Sequence, residues 1–248
     1  MGNVETNLRG GGDATGPSSS TDNAIARFNG TGGKTLQNST VTISDAGLVA
    51  APLADIGAGA NKAQFAADGE LTLAGTARVI KEIVKPAGDV QITVGAGYAD
   101  KETIPIGASG SIVMHVLAFD KTTNEEVNFD FHAPCDIDGS VNASLQVMWR
   151  PDPSWTAGAY RLHADYIVQD ELQDRTAGAP TTLTQEVTPS NATDSIETNM
   201  GAIDIGPDQV VAIRFWREAD HGNDLADDDA LVEFFELSYT ANKLGEAT

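Results

Sequence analysis

The stretch 209-QVVAIRFWR-217 decides the fold class. With a strand's period of two, Val211, Ile213 and Phe215 share one face, while Val210, Ala212 and Trp216 lie with Arg214 on the other. A strand apolar on both faces has a second surface to cover, which suits packing of one sandwich against another subunit. Alternating runs of the same kind recur on either side of it. They are 78-RVIKEIV-84, 89-DVQITV-94, 111-SIVMHVLAF-119, 127-VNFDF-131, 144-SLQVMW-149, 159-AYRLHADYIV-168, 181-TTLTQEV-187 and 230-ALVEFFELSYT-240. Turn clusters separate them at roughly ten to fifteen residues, and no segment reads as an amphipathic helix. The expected class is all-β, with a C-terminal β-sandwich of jelly-roll type.

The material for a core begins late in the chain. Residues 1–75 hold no Trp, Tyr or Cys and only fourteen Leu, Ile, Val and Phe, whereas all three Trp, all four Tyr and six of eight Phe follow Gly75. Under a fifth of large apolar residues is too few for a lone chain to fold. Three segments follow: an attachment arm over 1–23, a thin β shaft over 24–75, and a sandwich head over 76–248. Within the shaft, Asn29-Gly30 is a hairpin signal between Ile25/Phe28 and Leu36/Val41. The units 41-VTISDAGLVA-50 and 64-QFAADGELTLAG-75 are weakly similar, about 23 residues apart, and each offers only two or three apolar side chains. Burial against copies from neighbouring chains, in a three-fold intertwined shaft, is the expected solution. The intervening 55-DIGAGANKAQ-64 reads as a loop or one short helical turn.

Charge divides at the same boundary. Residues 1–75 carry seven acids and four bases, leaving twenty-nine acids against eleven bases in the remainder of a chain of net charge −21. Such a field repels nucleic acid and anionic membrane surfaces, and no basic cluster with interleaved aromatics offsets it. No run approaches eighteen apolar residues and no signal peptide opens the chain, so neither membrane insertion nor Sec export is expected. Cys135 is the single cysteine, which excludes an intrachain disulfide. Met1–Thr6 fits the loose myristoylation pattern, read here as coincidence.

The hexapeptide GTGGKT at 30–35 invites a phosphate-loop reading and fails it. The pattern's first glycine would fall on Phe28, and Thr35 leads into a polar, β-branched run rather than a helix. A different resemblance fits these residues. The segment 16-GPSSSTDNAIARFNGTGGKTLQNSTVTISDAGLV-49 resembles one that recurs in tail fibres and other appendage proteins of tailed bacteriophages and prophages. The match is nearly continuous over 34 residues and departs at Asn29, where Asp is more usual. It implies a homotrimeric virion appendage anchored through its N-terminus, with Val4, Leu8 and Arg9 as candidate contacts to a larger virion protein. The later stretches 149–168, 187–204 and 211–232 look similar to C-terminal domains of phage structural proteins. A location on the virion exterior, after synthesis in the host cytoplasm, follows from the resemblance.

Enzymatic motifs are absent: there is no H-E-x-x-H, G-x-S-x-G or strand-linked G-x-G-x-x-G. His132-Ala133-Pro134-Cys135 lacks the second cysteine of a zinc deaminase site and reads as a strand-end turn. His115, His132, His163 and His221 are scattered and read as surface or satisfied strand residues. Within 220-DHGNDLADDD-229, Asp220, Asn223, Asp224 and Asp227 are candidate calcium ligands, although the spacing is not that of an EF-hand and a solvated acidic loop is the bland reading. Trp149, Trp155 and Tyr160 are candidate sugar-stacking residues, weighed against packing in the core.

The expected function is a structural phage fibre whose head projects to bind a host-surface molecule, with a glycan as the candidate, without catalysis and without a cofactor other than calcium. A capsid-decorating head fibre is the alternative within the class. A glycan-degrading tailspike would need a long repetitive β-helix that this chain lacks. A stand-alone bacterial carbohydrate-binding module is disfavoured by the missing export signal.

Overall fold

The computed structural model describes residues 19, 23–28, 31, 35–45, 49–50, 54–58, 60–65, 71–92, 97–106, 112–170 and 178–244. The strands before the predicted boundary are β1 (Ala24–Phe28), β2 (Leu36–Ile43), β3 (Val49–Ala50), β4 (Ala54–Ala58), β5 (Asn61–Phe65) and β6 (Leu71–Ala74). After it come β7 (Val79–Pro86), β8 (Asp100–Ile106), β9 (Ile112–Phe119), β10 (Glu125–His132), β11 (Ala143–Pro151) and β12 (Tyr160–Gln169). The last are β13 (Thr181–Val187), β14 (Ile196–Ile203), β15 (Val210–Arg217), β16 (Ala230–Ala241) and β17 (Lys243–Leu244). Among the described residues the remaining regular elements are 3-10 turns at Gly75–Ala77 and Ala87–Asp89, so the chain is all-β as expected.

Two antiparallel sheets share one core. The first has the order β10-β15-β12-β13. The second runs β14-β11-β16-β9-β8, with β9 beside the start of β16 and β7 beside the rest of it. The faces read from 209–217 are those observed: Val211, Ile213 and Phe215 are buried, while Val210, Ala212, Arg214 and Trp216 keep exposed surface. Leu145 and Val147 of β11 and Phe235 and Leu237 of β16 close the core from the other sheet. Phe235 stacks on Phe129 at 4.2 Å between ring centroids and meets Phe215 edge-on at 5.1 Å, and Phe215 meets Phe119 at 5.4 Å. These rings stitch the two sheets together, each burial contributing about 1.5–3 kcal/mol.

Three sequence expectations fail for physical reasons. The expected strand 89–94 is replaced at its start by a 3-10 turn over Ala87–Asp89, with the Val90 N–H donating to the Ala87 carbonyl and no strand through Ile92; residues 93–94 lie outside the described residues. Ala87 and Val90 are both buried, so their apolar character reflects an anchored turn. Strands β8 and β14 are absent from the expected set. Both are edges of the second sheet, where a charged run with Pro105 and a polar run with Gly201 are tolerated because one side of the strand needs no partner. Residues 55–64, expected as a loop or helical turn, pair as the β4–β5 hairpin from Ala54–Phe65 to Ala58–Asn61. Backbone pairing defines that hairpin, and its apolar content is too sparse to give a period.

The units at 41–50 and 64–75 each form a hairpin, β2 with β3 and β5 with β6. They belong to two small sheets, β1-β2-β3 and β17-β6-β5-β4. The chain's end therefore leaves the sandwich and pairs Lys243 and Leu244 with Thr72 and Leu71. None of residues 23–28, 35–45, 60–64 and 71–86 is buried, and Ile25, Phe28 and Ile43 are 40%, 57% and 44% exposed.

Candidate functional site

Two of the three aromatic residues singled out in the sequence belong to the core. Trp149 and Tyr160 are fully buried, 4.8 Å apart in an edge-on pair. The Trp149 indole donates to Thr198 Oγ1 at 2.8 Å, and the Tyr160 hydroxyl donates to the Asp229 carbonyl at 3.1 Å. Neither offers a face to a sugar, because inward positions of β11 and β12 carry them. Trp155 is half-buried and packs against the same core, with an enclosed indole N–H that has no hydrogen bond among the described residues.

The acidic loop is consumed by structural bonds. Arg217, also fully buried, stands 4.6 Å over the Tyr160 ring and forms a forked pair with Asp224, Nε at 3.0 Å and Nη2 at 2.8 Å. Its Nη1 donates to the carbonyls of Asp228 and Phe119. Asp224 also accepts from the Arg161 amide, Asp227 caps the amides of Thr156 and Ala157, and Asp220 bonds Asn124. Asn223 donates to Glu186. The four candidate calcium ligands are thus directed to separate sets of partners, and among the described residues no group of three acids, histidines or cysteines could hold a metal. Gly158 permits the close approach of this loop: at φ +101° it lies where a Cβ would sit 1.9 Å from the Leu225 carbonyl oxygen. Val4, Leu8 and Arg9 lie outside the described residues.

A different constellation occupies the outer face of the first sheet. Cross-strand register places Asn128, Arg214, Asp165 and Thr182 in one row and Glu126, Trp216, His163 and Thr184 in the next. Trp216 is half-buried, with His163 stacked on it at 4.7 Å and 11° and the Arg214 guanidinium 4.5 Å from the ring centroid. Arg214 donates to Asp165 at 2.5 Å and to Glu126 at 3.5 Å. Below the indole, His163 Nε2 lies 2.8 Å from Glu218 and Nδ1 lies 2.9 Å from Thr184 Oγ1. A carboxylate only accepts, so in the neutral ring Nε2 donates and Nδ1 accepts from the threonine. Burial pushes the His163 pKa below 6.5, against the pull of Glu218. Burial pushes Glu218 up, but bonds from Arg161 and His163 outweigh it and hold the carboxyl below its usual range.

Cavities follow this face. One of about 230 Å³ is lined by Trp216, Arg214, Asn124, Glu125 and Glu126. A second, of about 390 Å³, lies on the other side of Arg214, against Asn128, Asp165, Ile167 and Pro180. A third, of about 350 Å³, shares Asn128 and runs past Asp130 to Lys85. The result is a broken groove across the β10 edge, with one indole, one guanidinium and several carboxylate and amide groups. Trp216 and Arg214 were legible as outward residues of β15, and the signal for a site was an aromatic side chain next to arginine on the polar face of a strand.

No protein-family model matches the chain, and no curated protein does. Among solved structures, the CBM36-1 domain of a multidomain xylanase from the hindgut metagenome of Trinervitermes trinervoides is 12% identical. It superimposes with a TM-score of 0.36 over 63% of this chain and 96% of that one. A family 35 carbohydrate-binding module from Clostridium thermocellum is 14% identical, with a TM-score of 0.37 over 63% and 97%. A family 11 module of the cellulosomal cellulase Lic26A-Cel5E from Clostridium thermocellum is 12% identical, with a TM-score of 0.30 over 72% and 97%. Superpositions this loose assign no ligand to this chain.

Proposed function

We propose that this chain is a virion appendage subunit of a tailed phage: residues 1–23 dock on a larger virion protein, and the sandwich head binds a host-surface glycan through the outer face of β10, β15, β12 and β13. The appendage part is supported by the segment 16–49. The exposed Ile25, Phe28 and Ile43 support association of three copies through the N-terminal sheets, since such apolar surface is stable when another chain covers it. No bond-breaking step is part of this reading.

The observation that carries glycan binding is the half-buried Trp216 indole, which lines a surface cavity with Arg214 and Glu126. His163 covers one face of the indole and the Arg214 guanidinium stands over the ring; the apolar rim left in the cavity can meet the C–H groups of a sugar, and the guanidinium and carboxylates can bond its hydroxyls. Few convergent polar groups around an aromatic rim are what orient a small ligand. In the full-length protein, Trp216→Ala should cost about 1–3 kcal/mol of binding to host cells while changing the melting temperature little. Equal adsorption by wild type and variant would remove this face from the function. Normal adsorption by particles lacking the protein would replace receptor binding with capsid decoration.

A further inference from the structure

We infer that the ligand of this face is a glycan without anionic groups. The inference rests on the glycan reading above and narrows its chemistry. Both arginines of the face are already held by two carboxylates each. Arg214 bonds Asp165 and Glu126, and Arg161 bonds Glu218 at 2.6 Å and also Glu186. Asp130, exposed on the same face of β10, adds a further negative charge beside the third cavity.

A uronate, sulfate, phosphate or sialic acid group would have to displace one of these carboxylates to reach a guanidinium, and Lys85, the cation lining the third cavity, shares that cavity with Asp89 and Asp130. The displaced carboxylate would then face both the incoming anion and its former neighbour. Removing one member of such a pair leaves a charge without its partner, the costly arrangement. The chain's net charge of −21 adds repulsion at longer range. A hydroxyl meets neither obstacle. It donates to a carboxylate oxygen and accepts from a guanidinium or amide N–H while the ion pairs stay intact. Asn128, exposed between the second and third cavities, supplies a donor and an acceptor of the same neutral kind.

The test uses the full-length protein on an array of immobilised uncharged glycans (mannans, glucans, galactans, N-acetylglucosamine polymers) and anionic ones (polygalacturonate, hyaluronate, sulfated, sialylated and phosphate-bearing glycans). Binding to at least one uncharged member is expected. Its dissociation constant should change less than about twofold between low and about 0.5 M salt, because no ion pair forms with the ligand. Trp216→Ala should weaken it by about tenfold or more. Should that variant fail to fold, Asn128→Ala carries the same readout from an exposed position. Trp216-dependent binding confined to anionic glycans, or binding that changes more than about tenfold with salt, overturns this inference and leaves the glycan reading standing. Binding to no glycan, or binding untouched by both substitutions, overturns the glycan reading and this inference with it.

Discussion

The strands of residues 79–241 and those of residues 24–74 use the same antiparallel pairing, yet they differ in what stands behind them. In the sandwich each alternating run meets a second run across the core, so Phe235 is fully buried against Phe129 and Phe215. In the N-terminal sheets Phe28 pairs across strands with Leu36 and remains 57% exposed. Alternation alone therefore makes a sheet, and only a second layer makes it stable.

Two phenylalanines test that contrast. Phe235→Ala should cost the sandwich about 3–5 kcal/mol in urea unfolding followed by tryptophan fluorescence. Phe28→Ala should leave that transition within about 0.5 kcal/mol and act instead on assembly, as a higher protein concentration needed to form the proposed trimer in light scattering. A small effect of Phe235→Ala would break the comparison. A concentration-independent loss with Phe28→Ala would place its partner within the same chain.

The next contrast lies between two arginines of β15. Arg217 is buried with Asp224, whereas Arg214 is half-exposed between Asp165 and Glu126. Asp224→Ala should destabilise by about 3–5 kcal/mol, since it strands a buried guanidinium. Glu126→Gln should cost less than about 1 kcal/mol, because solvent screens the exposed pair. Similar losses would show that Arg217 has another charged partner or that water reaches it.

Residues 209–217 also show how far the sequence could be read. The period of two located both faces of β15, and the same rule gave β7, β9, β10, β11, β12, β13 and β16 closely enough to establish a sandwich. Strands β8 and β14 escaped because edge positions relax the apolar requirement. The face proposed to bind a ligand is not legible in the sequence for a related reason. Trp149 and Tyr160 drew attention as aromatic residues near a Pro-rich turn, but their position in alternating strands already placed them on the inner faces. Trp216 lies on the outer face, where an apolar residue suits subunit packing as well as a ligand. Its neighbours Asp165, Glu126 and Asn128 come from other strands, so their convergence depends on register, which a single sequence does not reveal. The acidic loop misled for the opposite reason: carboxylates adjacent in sequence point to different partners in space.

A smaller effect is expected where the two regions join. Removing residues 243–248 deletes β17, which pairs with β6 of the N-terminal sheet. The sandwich should keep its stability within about 1 kcal/mol, as few of its own hydrogen bonds are lost. Cleavage by a nonspecific protease between residues 54 and 74 should become faster. Unchanged protection there would mean that the chain's end does not brace that sheet.

The smallest effect concerns His163, which links the buried layer to the outer face through its stack on Trp216. Glu218, Arg161, Asp165 and Thr184 surround it, and burial holds its pKa below 6.5 in the folded protein. As pH falls below that value, the unfolded chain takes up the proton first, so stability present at neutral pH is lost through the window until the folded ring also protonates. The slope cannot exceed one proton, about 1.4 kcal/mol per pH unit. His163→Gln should remove it, so urea midpoints of wild type and variant should diverge between about pH 7.5 and pH 5.5, with the wild type falling more steeply. Glu125, Asp229 and Glu236, raised by burial, shift stability in the opposite sense, but they are present in both proteins and cancel in the difference. Parallel profiles would mean that His163 binds its proton equally in both states, and that the pull of Glu218 matches the effect of burial.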